Sequence, residues 1–219
     1  MYNIVKRFFD IVLSFSAIFI LIPFLIIIIL ILRFTAEGEV FYFQERMGYK
    51  NQKFKIWKFA TMLKNSLNMG TGSITLKDDF RVTKVGKILR KTKVNELPQL
   101  FNILKGDISF VGPRPILESD WNMYPANIKK IIYNVKPGLT GMGSVIFRDE
   151  EGIISSVEDE NLHEYYERVI APYKGELEKW YQQNISFILD LKLIILTAIV
   201  VIYPKNNLEK IFFSGLPEK

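Results

Sequence analysis

The chain has 219 residues, enough for one domain with a hydrophobic core, whereas two full domains would be cramped. It contains no cysteine, which excludes a disulfide framework and thiolate chemistry. The formal net charge of +6 is compatible with anionic lipid, phosphorylated small molecules or nucleic acid as partners. Charge alone does not choose among these three classes.

An apolar segment at residues 11–32 is long enough to cross a hydrocarbon core of ~30 Å. It is too long for a signal peptide, and a single membrane-spanning helix is the simplest interpretation. Two features favour another course. Pro23 lies in the middle of the segment, where a proline removes a backbone hydrogen bond and bends the helix. Basic residues flank both ends, as expected when both face the cytoplasm. We therefore predict a re-entrant membrane helix over residues 1–33, broken at Pro23.

Residues 34–219 are predicted to form a cytoplasmic domain of the α+β class, predominantly helical. Lysines and apolar residues alternate in Lys53–Phe59, which predicts a strand with one basic face that includes Lys58. Its lysines suit either a solvated edge strand or contact with anionic headgroups. Residues 64–79 are polar and rich in glycine, which predicts a mobile loop.

A basic helical stripe is predicted over residues 81–93, with Arg81, Lys84 and Lys87 on one face. No nucleic-acid recognition motif or set of stacking aromatic residues accompanies this stripe in the sequence, so we expect no nucleic-acid partner. Residues 116–136 are predicted as a further amphipathic helix.

The densest group of polar and turn-forming residues lies between Arg90 and Pro115. Asn95 and Glu96 stand at the start of an apolar segment with helical spacing, and Pro98 suits its first turn. A carboxylate in such a turn lies where phosphate or a metal–phosphate pair also binds. Residues 112–115, Gly-Pro-Arg-Pro, form a stiff loop that presents Arg114, whose guanidinium is shaped to bind phosphate. By physics alone, a plain helix and turn explain this segment equally well.

A second apolar segment at residues 185–203 contains Asp190 and Lys192. Charges at the centre of a membrane span cost about 2.5–3.5 kcal/mol each on insertion scales. We therefore predict an interfacial amphipathic helix with its charges among the headgroups. A helix buried in the soluble core is the alternative.

The segment NELPQLFNILKGDISFVGPRP resembles the signature of the bacterial sugar transferases, the small monotopic phosphoglycosyl transferases. Five other segments agree with this family in the same order: KRFFDIVLS, VFYFQERMG, FKIWKFATM, KPGLTG and NISFILDLK. The resemblance covers nearly the whole chain. It departs from the family at two places. The family has an adjacent Asp-Glu pair, the dyad, where this chain has Asn95-Glu96, and residues 147–152 replace a Gly-Arg-Asn segment. Ile22-Pro23 also stands where the family has a Ser-Pro pair.

The resemblance implies transfer of a sugar 1-phosphate from a UDP-sugar to polyprenyl (undecaprenyl) phosphate with release of UMP. It places this catalytic domain on the cytoplasmic face of the bacterial inner membrane. The family's dyad Asp is the nucleophile, so Asn95 holds the nucleophile position and Glu96 that of the second carboxylate. Mg²⁺ is the implied cofactor, held by Glu96 and Asn95. Arg90, Arg114, Glu178 and Lys58 fall on substrate- or phosphate-binding positions.

Three interpretations of Asn95 stay open at this point. Glu96 has become the nucleophile, or the polyprenyl phosphate attacks the UDP-sugar directly, or the chain is inactive. An altered or inactive chain would act as a regulatory or membrane-anchored partner. The sequence also leaves open the identity of the sugar and whether two copies form a homodimer.

Overall fold

The structure, a computed structural model, describes residues 2–35, 37–72, 74–157, 161–203, 212–213 and 215–217. Within these residues the α-helices are α1 (Tyr2–Arg33), α2 (Lys84–Lys91), α3 (Gln99–Lys105), α4 (Glu118–Asn122), α5 (Ala126–Lys129), α6 (Met142–Ile146), α7 (Glu150–Ser155), α8 (Leu162–Tyr165), α9 (Ala171–Gln183) and α10 (Phe187–Ile202). The strands are β1 (Phe41–Met47), β2 (Lys53–Phe59), β3 (Ser109–Val111) and β4 (Gly138–Thr140). Shorter 3-10 turns cover Tyr49–Asn51, Ser66–Asn68 and Val94–Glu96, and a π-helical turn covers Tyr166–Ile170.

Two small sheets accompany these helices, which confirms the predicted α+β, predominantly helical class. Strands β1 and β2 form an antiparallel hairpin with Phe41 opposite Phe59. Strands β3 and β4 form a parallel pair with Ser109 opposite Gly138. A parallel pair requires a long crossover, and α4 and α5 lie in it.

Helix α1 lies along the rest of the domain on one narrow stripe of its surface. The buried or contacting positions recur every three or four residues, the spacing of neighbours on one helical face. They are Arg7, Asp10, Ser14, Ile18, Leu21, Leu25, Ile28 and Leu32. From Arg7 to Leu32 the stripe is about 38 Å long at 1.5 Å per residue. Both ends of α1 therefore contact the same domain.

The N-terminal part of α1 is held by hydrogen bonds. Arg7 donates to the carbonyl oxygens of Ile103 at 2.6 Å and Leu104 at 2.8 Å, in the last turn of α3. The carboxylate of Asp10 accepts a hydrogen bond from the hydroxyl of Ser109 at 3.0 Å, where β3 begins. These bonds connect α1 to the helix and strand that flank the candidate site.

The opposite face of α1 is apolar and exposed, and it carries Phe8, Phe15, Phe19 and Ile20. Of the helices in the described residues, α1 is the one long and apolar enough to span a membrane. Pro23 is exposed, and α1 continues through it without interruption. The break at Pro23 and the re-entrant course therefore stay predictions, and the terminal residues Met1 and Lys219 lie outside the described residues.

The main core lies between α6, α9 and α10, where Met142, Leu177, Leu193 and Leu196 are completely buried. Helix α10 thus packs one face into the soluble core, as the alternative interpretation of residues 185–203 predicts. Its other face exposes Ile188, Leu191, Ile195 and Ile202.

The prediction that Asp190 lies among headgroups is wrong. Asp190 is buried and forms an ion pair with Lys6 of α1. The hydroxyls of Tyr2 and Tyr181 donate to the same carboxylate at 2.6 Å and 2.8 Å. A buried carboxylate is tolerated when its oxygens are paired in this way.

The strand β2 forms as predicted, but Lys58 does not share a basic face with Lys53 and Lys55. Successive side chains alternate across a strand, so positions 53 and 58 point to opposite faces. Lys53 and Lys55 are exposed, whereas the side chain of Lys58 is 16% exposed and faces inward. This inward direction brings Lys58 to the candidate site.

Residues 64–79, predicted as a mobile loop, are organised around Arg81. Arg81 is 1% exposed; it pairs with Asp79 at 2.6 Å and donates to backbone carbonyls that include those of Ser66 and Ile74. The predicted stripe that joins Arg81 to Lys84 and Lys87 is therefore wrong. Helix α2 begins only at Lys84, and Arg81 turns inward before it.

Residues 116–136, predicted as one amphipathic helix, form the two short helices α4 and α5. Pro125 stands between them as the residue before α5 begins. Proline cannot donate a backbone hydrogen bond, so it suits a helix start and interrupts a continuous helix.

Candidate active site

Asn95 and Glu96 lie in the short 3-10 turn Val94–Glu96 that precedes α3. Pro98 is the residue before α3 begins, and Leu100 and Ile103 of that helix are buried against α1. The apolar spacing that predicts the helix is therefore what anchors the turn. Both Asn95 and Glu96 are buried, at 6% and 8% exposure, so their side chains are largely shielded from water.

The loop at residues 112–115 is fixed from behind. A Cβ atom at Gly112 would lie 2.3 Å from the carbonyl oxygen of Lys136, so only glycine allows this close approach. The hydroxyl of Tyr133 donates to the carbonyl oxygen of Arg114 at 2.9 Å and accepts the backbone N–H of Ile116 at 3.1 Å. The backbone at Arg114 is thus held by the core.

Glu96 binds two cations through the same oxygen. Its Oε1 accepts a hydrogen bond from Arg114 at 2.9 Å and lies 3.5 Å from the ammonium of Lys58. Burial pushes the pKa of Glu96 upward, but Arg114, Lys58 and Lys93 together hold it well below its usual range. Glu96 is therefore ionised, which both a nucleophile and a metal ligand require.

The cations at this site outnumber its central carboxylate. Burial lowers the pKa of Lys58 to about 7, against the opposing attraction of Glu96. Burial likewise lowers the pKa of Lys93 to about 8. Arg46 and Arg148 belong to the same electrostatic neighbourhood, since both interact with Arg114. Such a site gains free energy when it takes up a polyanion.

Lys93 and Arg148 are site residues that the sequence analysis missed. Lys93 looks like one more member of a surface stripe, and Arg148 lies in a segment without a recognisable motif. The sequence feature that could have identified Lys93 as a site residue is its position, two residues before Asn95.

Asn95 is buried, and its side-chain oxygen Oδ1 has no hydrogen-bond partner among the described residues. An orphaned buried acceptor costs about 1–3 kcal/mol and calls for a reason such as an ion or substrate. A neutral amide oxygen beside an ionised carboxylate fits a hard cation such as Mg²⁺. No group of three or more His, Cys, Asp or Glu side chains suited to a metal is found in the described residues. Asn95 and Glu96 therefore fit a metal ion that would complete its coordination with oxygens of substrate phosphates.

Glu178 is buried and contacts helix α6. Its Oε1 accepts the backbone N–H of Gly143 at 3.2 Å. Burial raises the pKa of Glu178 to about 7. Its Oε2 is buried without a partner among the described residues. The backbone N–H of Arg114 lies close enough to oppose part of that rise in the pKa, so Glu178 is near the loop that carries Arg114.

Arg90 lies at the edge of the site and forms an ion pair with Glu151 of α7. Arg148 donates to the carbonyl oxygen of Lys91 at 3.2 Å, so residues 147–152 are attached to the end of α2. The described residues show no hydrogen bond or ion pair between Arg90 and Glu96. The structure thus brings Asn95, Glu96, Lys58 and Arg114 together and leaves Arg90 beside them.

A model of the family described as "Bacterial sugar transferase" matches residues 1–204. The chain is 37% identical over 198 residues to a Bacillus subtilis protein named as the uncharacterized sugar transferase EpsL, covering 89% of this chain and 86% of that protein.

Two larger relatives have names that state a reaction. One is the UDP-N-acetylgalactosamine-undecaprenyl-phosphate N-acetylgalactosaminephosphotransferase of Aeromonas hydrophila, 32% identical over 198 residues, which are 90% of this chain and 43% of that protein. The other is the UDP-glucose:undecaprenyl-phosphate glucose-1-phosphate transferase of Klebsiella pneumoniae, 35% identical over 196 residues, which are 88% of this chain and 39% of that protein. The chain thus spans less than half the length of these two relatives.

The family match covers nearly the whole described chain, including the dyad turn, the loop that carries Arg114 and helix α1. It confirms the prediction of a transferase enzyme. The chain belongs to the bacterial sugar transferase family.

Proposed function

We propose that this chain transfers a sugar 1-phosphate from a UDP-sugar to undecaprenyl phosphate and releases UMP. Two relatives carry names that state this kind of reaction, for N-acetylgalactosamine and for glucose. The observation that carries the proposal is the excess of cations around Glu96. Lys58, Lys93 and Arg114 lower the pKa of this single carboxylate, and two further arginines lie nearby. A diphosphate and a phosphate monoester would balance these charges.

The acceptor is a membrane lipid, so the site must lie at a bilayer. The apolar exposed face of α1 would be stable only in contact with lipid, because an exposed patch of this size is unfavourable in water. Both ends of α1 contact one domain, which favours a helix that enters and leaves the same face. We place that domain on the cytoplasmic face of the bacterial inner membrane, where UDP-sugars are made.

We propose that Glu96 is the nucleophile. Its Oε1 is anchored by Arg114 and Lys58, while Oε2 has no hydrogen bond to any described residue. Attack by Oε2 on the phosphorus that bears the sugar forms an acyl phosphate and breaks the bond to the UMP oxygen. Undecaprenyl phosphate then attacks the same phosphorus and releases Glu96 as a free carboxylate. Arg114 is placed to bind the charge that develops on the phosphoryl oxygens.

Mg²⁺ belongs to this proposal as a cofactor held by Glu96 and the amide oxygen of Asn95. When bound, it would neutralise diphosphate charge. The orphaned Oδ1 of Asn95 supports this assignment.

Release of UMP from a panel of UDP-sugars, with undecaprenyl phosphate and Mg²⁺, tests the reaction. We expect release with at least one sugar, and dependence on both the lipid and the metal. Absence of release with every sugar would favour the other candidate, an inactive relative that acts as a regulatory or membrane-anchored partner. The neutral Asn95 is the observation that keeps this candidate open.

The mass of the intact protein after mixing with UDP-sugar alone tests the covalent step. We expect a phosphosugar adduct that maps to Glu96 and is absent in Glu96→Gln. Turnover without any adduct would show direct attack by the lipid phosphate in a ternary complex. Size measurement in detergent on the same samples tests for a homodimer.

Cysteine labelling tests the position at the membrane, and the absence of native cysteine makes single-cysteine variants clean. Cysteines placed at Asn3 and at Thr35, near the two ends of α1, should both resist an impermeant reagent added to intact cells. Labelling at Asn3 alone would show that α1 spans the bilayer. Pro23→Leu is expected to favour that spanning course, because it restores a helical hydrogen bond.

A further inference from the structure

Lys93 has an unusual backbone for its residue type. Its φ of 58° and ψ of 11° place it in the left-handed region, immediately before the turn that carries Asn95 and Glu96. Its carbonyl oxygen accepts the backbone N–H of Glu96 at 3.1 Å, so this conformation sets the direction of the dyad turn. Glycine or asparagine would adopt it at lower cost. A lysine at this position is therefore a poor choice for the backbone alone.

The charge on the side chain of Lys93 explains why a lysine occupies a position whose backbone favours glycine or asparagine. The side chain is half-buried, and its charge interacts with Glu96, Arg114, Arg148 and Glu151. Among the described residues, no hydrogen bond or ion pair holds its ammonium. Lys93 thus brings to the edge of the site a cation that has no hydrogen-bond or ion-pair partner among the described residues, three residues before Glu96 in the chain.

We propose that Lys93 is a substrate-binding residue that donates from its ammonium to a phosphate oxygen of the nucleotide-sugar diphosphate. This inference rests on the proposed function, since it names a further contact of the same site. A lysine supplies a mobile point charge with three donors, which suits a phosphate whose position changes as the UMP bond breaks. The left-handed backbone at Lys93 sets the direction in which this side chain leaves the dyad turn.

Two substitutions separate the charge from the backbone. Lys93→Met removes the charge and keeps a side chain of similar length with the same backbone strain. Lys93→Gly removes the charge and relieves the strain. We expect both variants to bind UDP at least tenfold more weakly than the wild type and to lose at least tenfold in kcat/KM. The Tm of Lys93→Gly should exceed that of Lys93→Met by about 2–4 °C.

Lys50 offers a matched control. It is also a left-handed lysine, with a φ of 54°, but it is exposed in the turn between β1 and β2. Lys50→Gly removes the same charge and relieves the same kind of strain, and its UDP affinity and kcat/KM should equal those of the wild type. Lys93→Arg keeps the charge and should retain most of the UDP affinity.

A purely structural role for Lys93 predicts the opposite pattern. If Lys93→Gly is more stable than the wild type and binds UDP equally well, the inference is wrong while the proposed function stands. If the wild type neither binds UDP nor releases UMP, the proposed function fails, and the inference falls with it. Equal loss in Lys50→Gly and Lys93→Gly would show a general effect of net charge and would also overturn the assignment.

Discussion

Two buried groups of charged side chains in this protein differ in how completely their polar atoms find hydrogen-bond partners and their charges find opposite charges. One surrounds Arg81 and Asp79, and the other surrounds Glu96. Both lie within segments rich in lysine and arginine, and both contain a carboxylate paired with an arginine at less than 3 Å. Their sequence contexts look alike, but their surroundings do not.

Arg81 has one carboxylate for one cation and a full set of acceptors. Its guanidinium donates to both oxygens of Asp79 and to the carbonyl oxygens of Ser66, Met69, Gly72 and Ile74. The hydrogen bonds from Arg81 hold the pKa of Asp79 down to about 2. Among the described residues, no buried side-chain N or O atom of Asp79 or Arg81 lacks a partner, and the group ties four backbone carbonyls between Ser66 and Ile74 to one guanidinium.

In the group around Glu96, several cations share one central carboxylate, and some buried polar atoms have no partner among the described residues. Asn95, Ser144, Arg148 and Glu178 each have a buried side-chain atom without a hydrogen bond within the described chain. Asn95 adjoins Glu96, Glu178 accepts the backbone N–H of Gly143, and Ser144 follows that glycine. Unsatisfied polar atoms and unbalanced charge are costly, and they persist where a substrate completes them. The comparison teaches that imbalance, more than charge density, distinguishes the candidate site from a structural group of charges.

The largest expected effect is that of Glu96→Gln on turnover. We expect a loss of about a thousandfold or more in kcat/KM, because the variant lacks both the proposed nucleophile and the carboxylate of the proposed metal site. Asn95→Ala should impair UMP release less. If Glu96→Gln keeps wild-type turnover, the site assignment is wrong.

The matching change in the satisfied group is Asp79→Asn, which should act on stability. Loss of one partner of a buried ion pair lowers the free energy of unfolding by roughly 3–5 kcal/mol. Urea unfolding measures this change. The neighbouring Asp78→Asn is the control, since its pair with Lys87 at 3.4 Å is exposed and should change stability by at most about 0.5 kcal/mol. Equal effects at both positions would contradict the comparison.

Arg114→Ala is expected to lower kcat/KM at least tenfold, because charge-assisted bonds to phosphate are strong. Arg114→Lys should recover only part of the loss, since an ammonium cannot bind two oxygens in a fork. Arg90→Ala is also predicted to lower kcat/KM at least tenfold. Wild-type activity in Arg90→Ala would show that this residue serves only to hold Glu151.

The smallest expected effect is a shallow minimum of Tm near pH 7. Glu178 has a raised pKa of about 7. Its contribution to the free energy of unfolding is therefore fully present below its unfolded pKa of 4.5 and is lost as the pH rises toward 7. Lys58 has a pKa lowered to about 7, so its contribution is present above its unfolded pKa of 10.5 and is lost as pH falls toward 7. Glu178→Gln should flatten the acidic side of the curve, and Lys58→Met the alkaline side. A monotonic curve in the wild type would contradict this assignment.

The sequence by itself determined the family, the apolar helix at the N-terminus, the turn that carries the carboxylate and the Gly-Pro-Arg-Pro loop. These features depend on local patterns, such as helical spacing, turn residues and short motifs, which are readable within a few residues. Asn95, Glu96 and Arg114 could be named for this reason.

Only the tertiary structure decided which charges face inward. Lys58, Lys93 and Arg81 all belong to basic stretches that look solvated in the sequence. Strand alternation turns Lys58 toward Glu96, a left-handed backbone at Lys93 directs the start of the dyad turn, and long-range carbonyl contacts bury Arg81. Asp190 likewise became a core residue because Lys6, 184 positions away, comes into contact with it. The direction of a charged side chain depends on partners that are distant in the chain, and a local pattern contains no information about them.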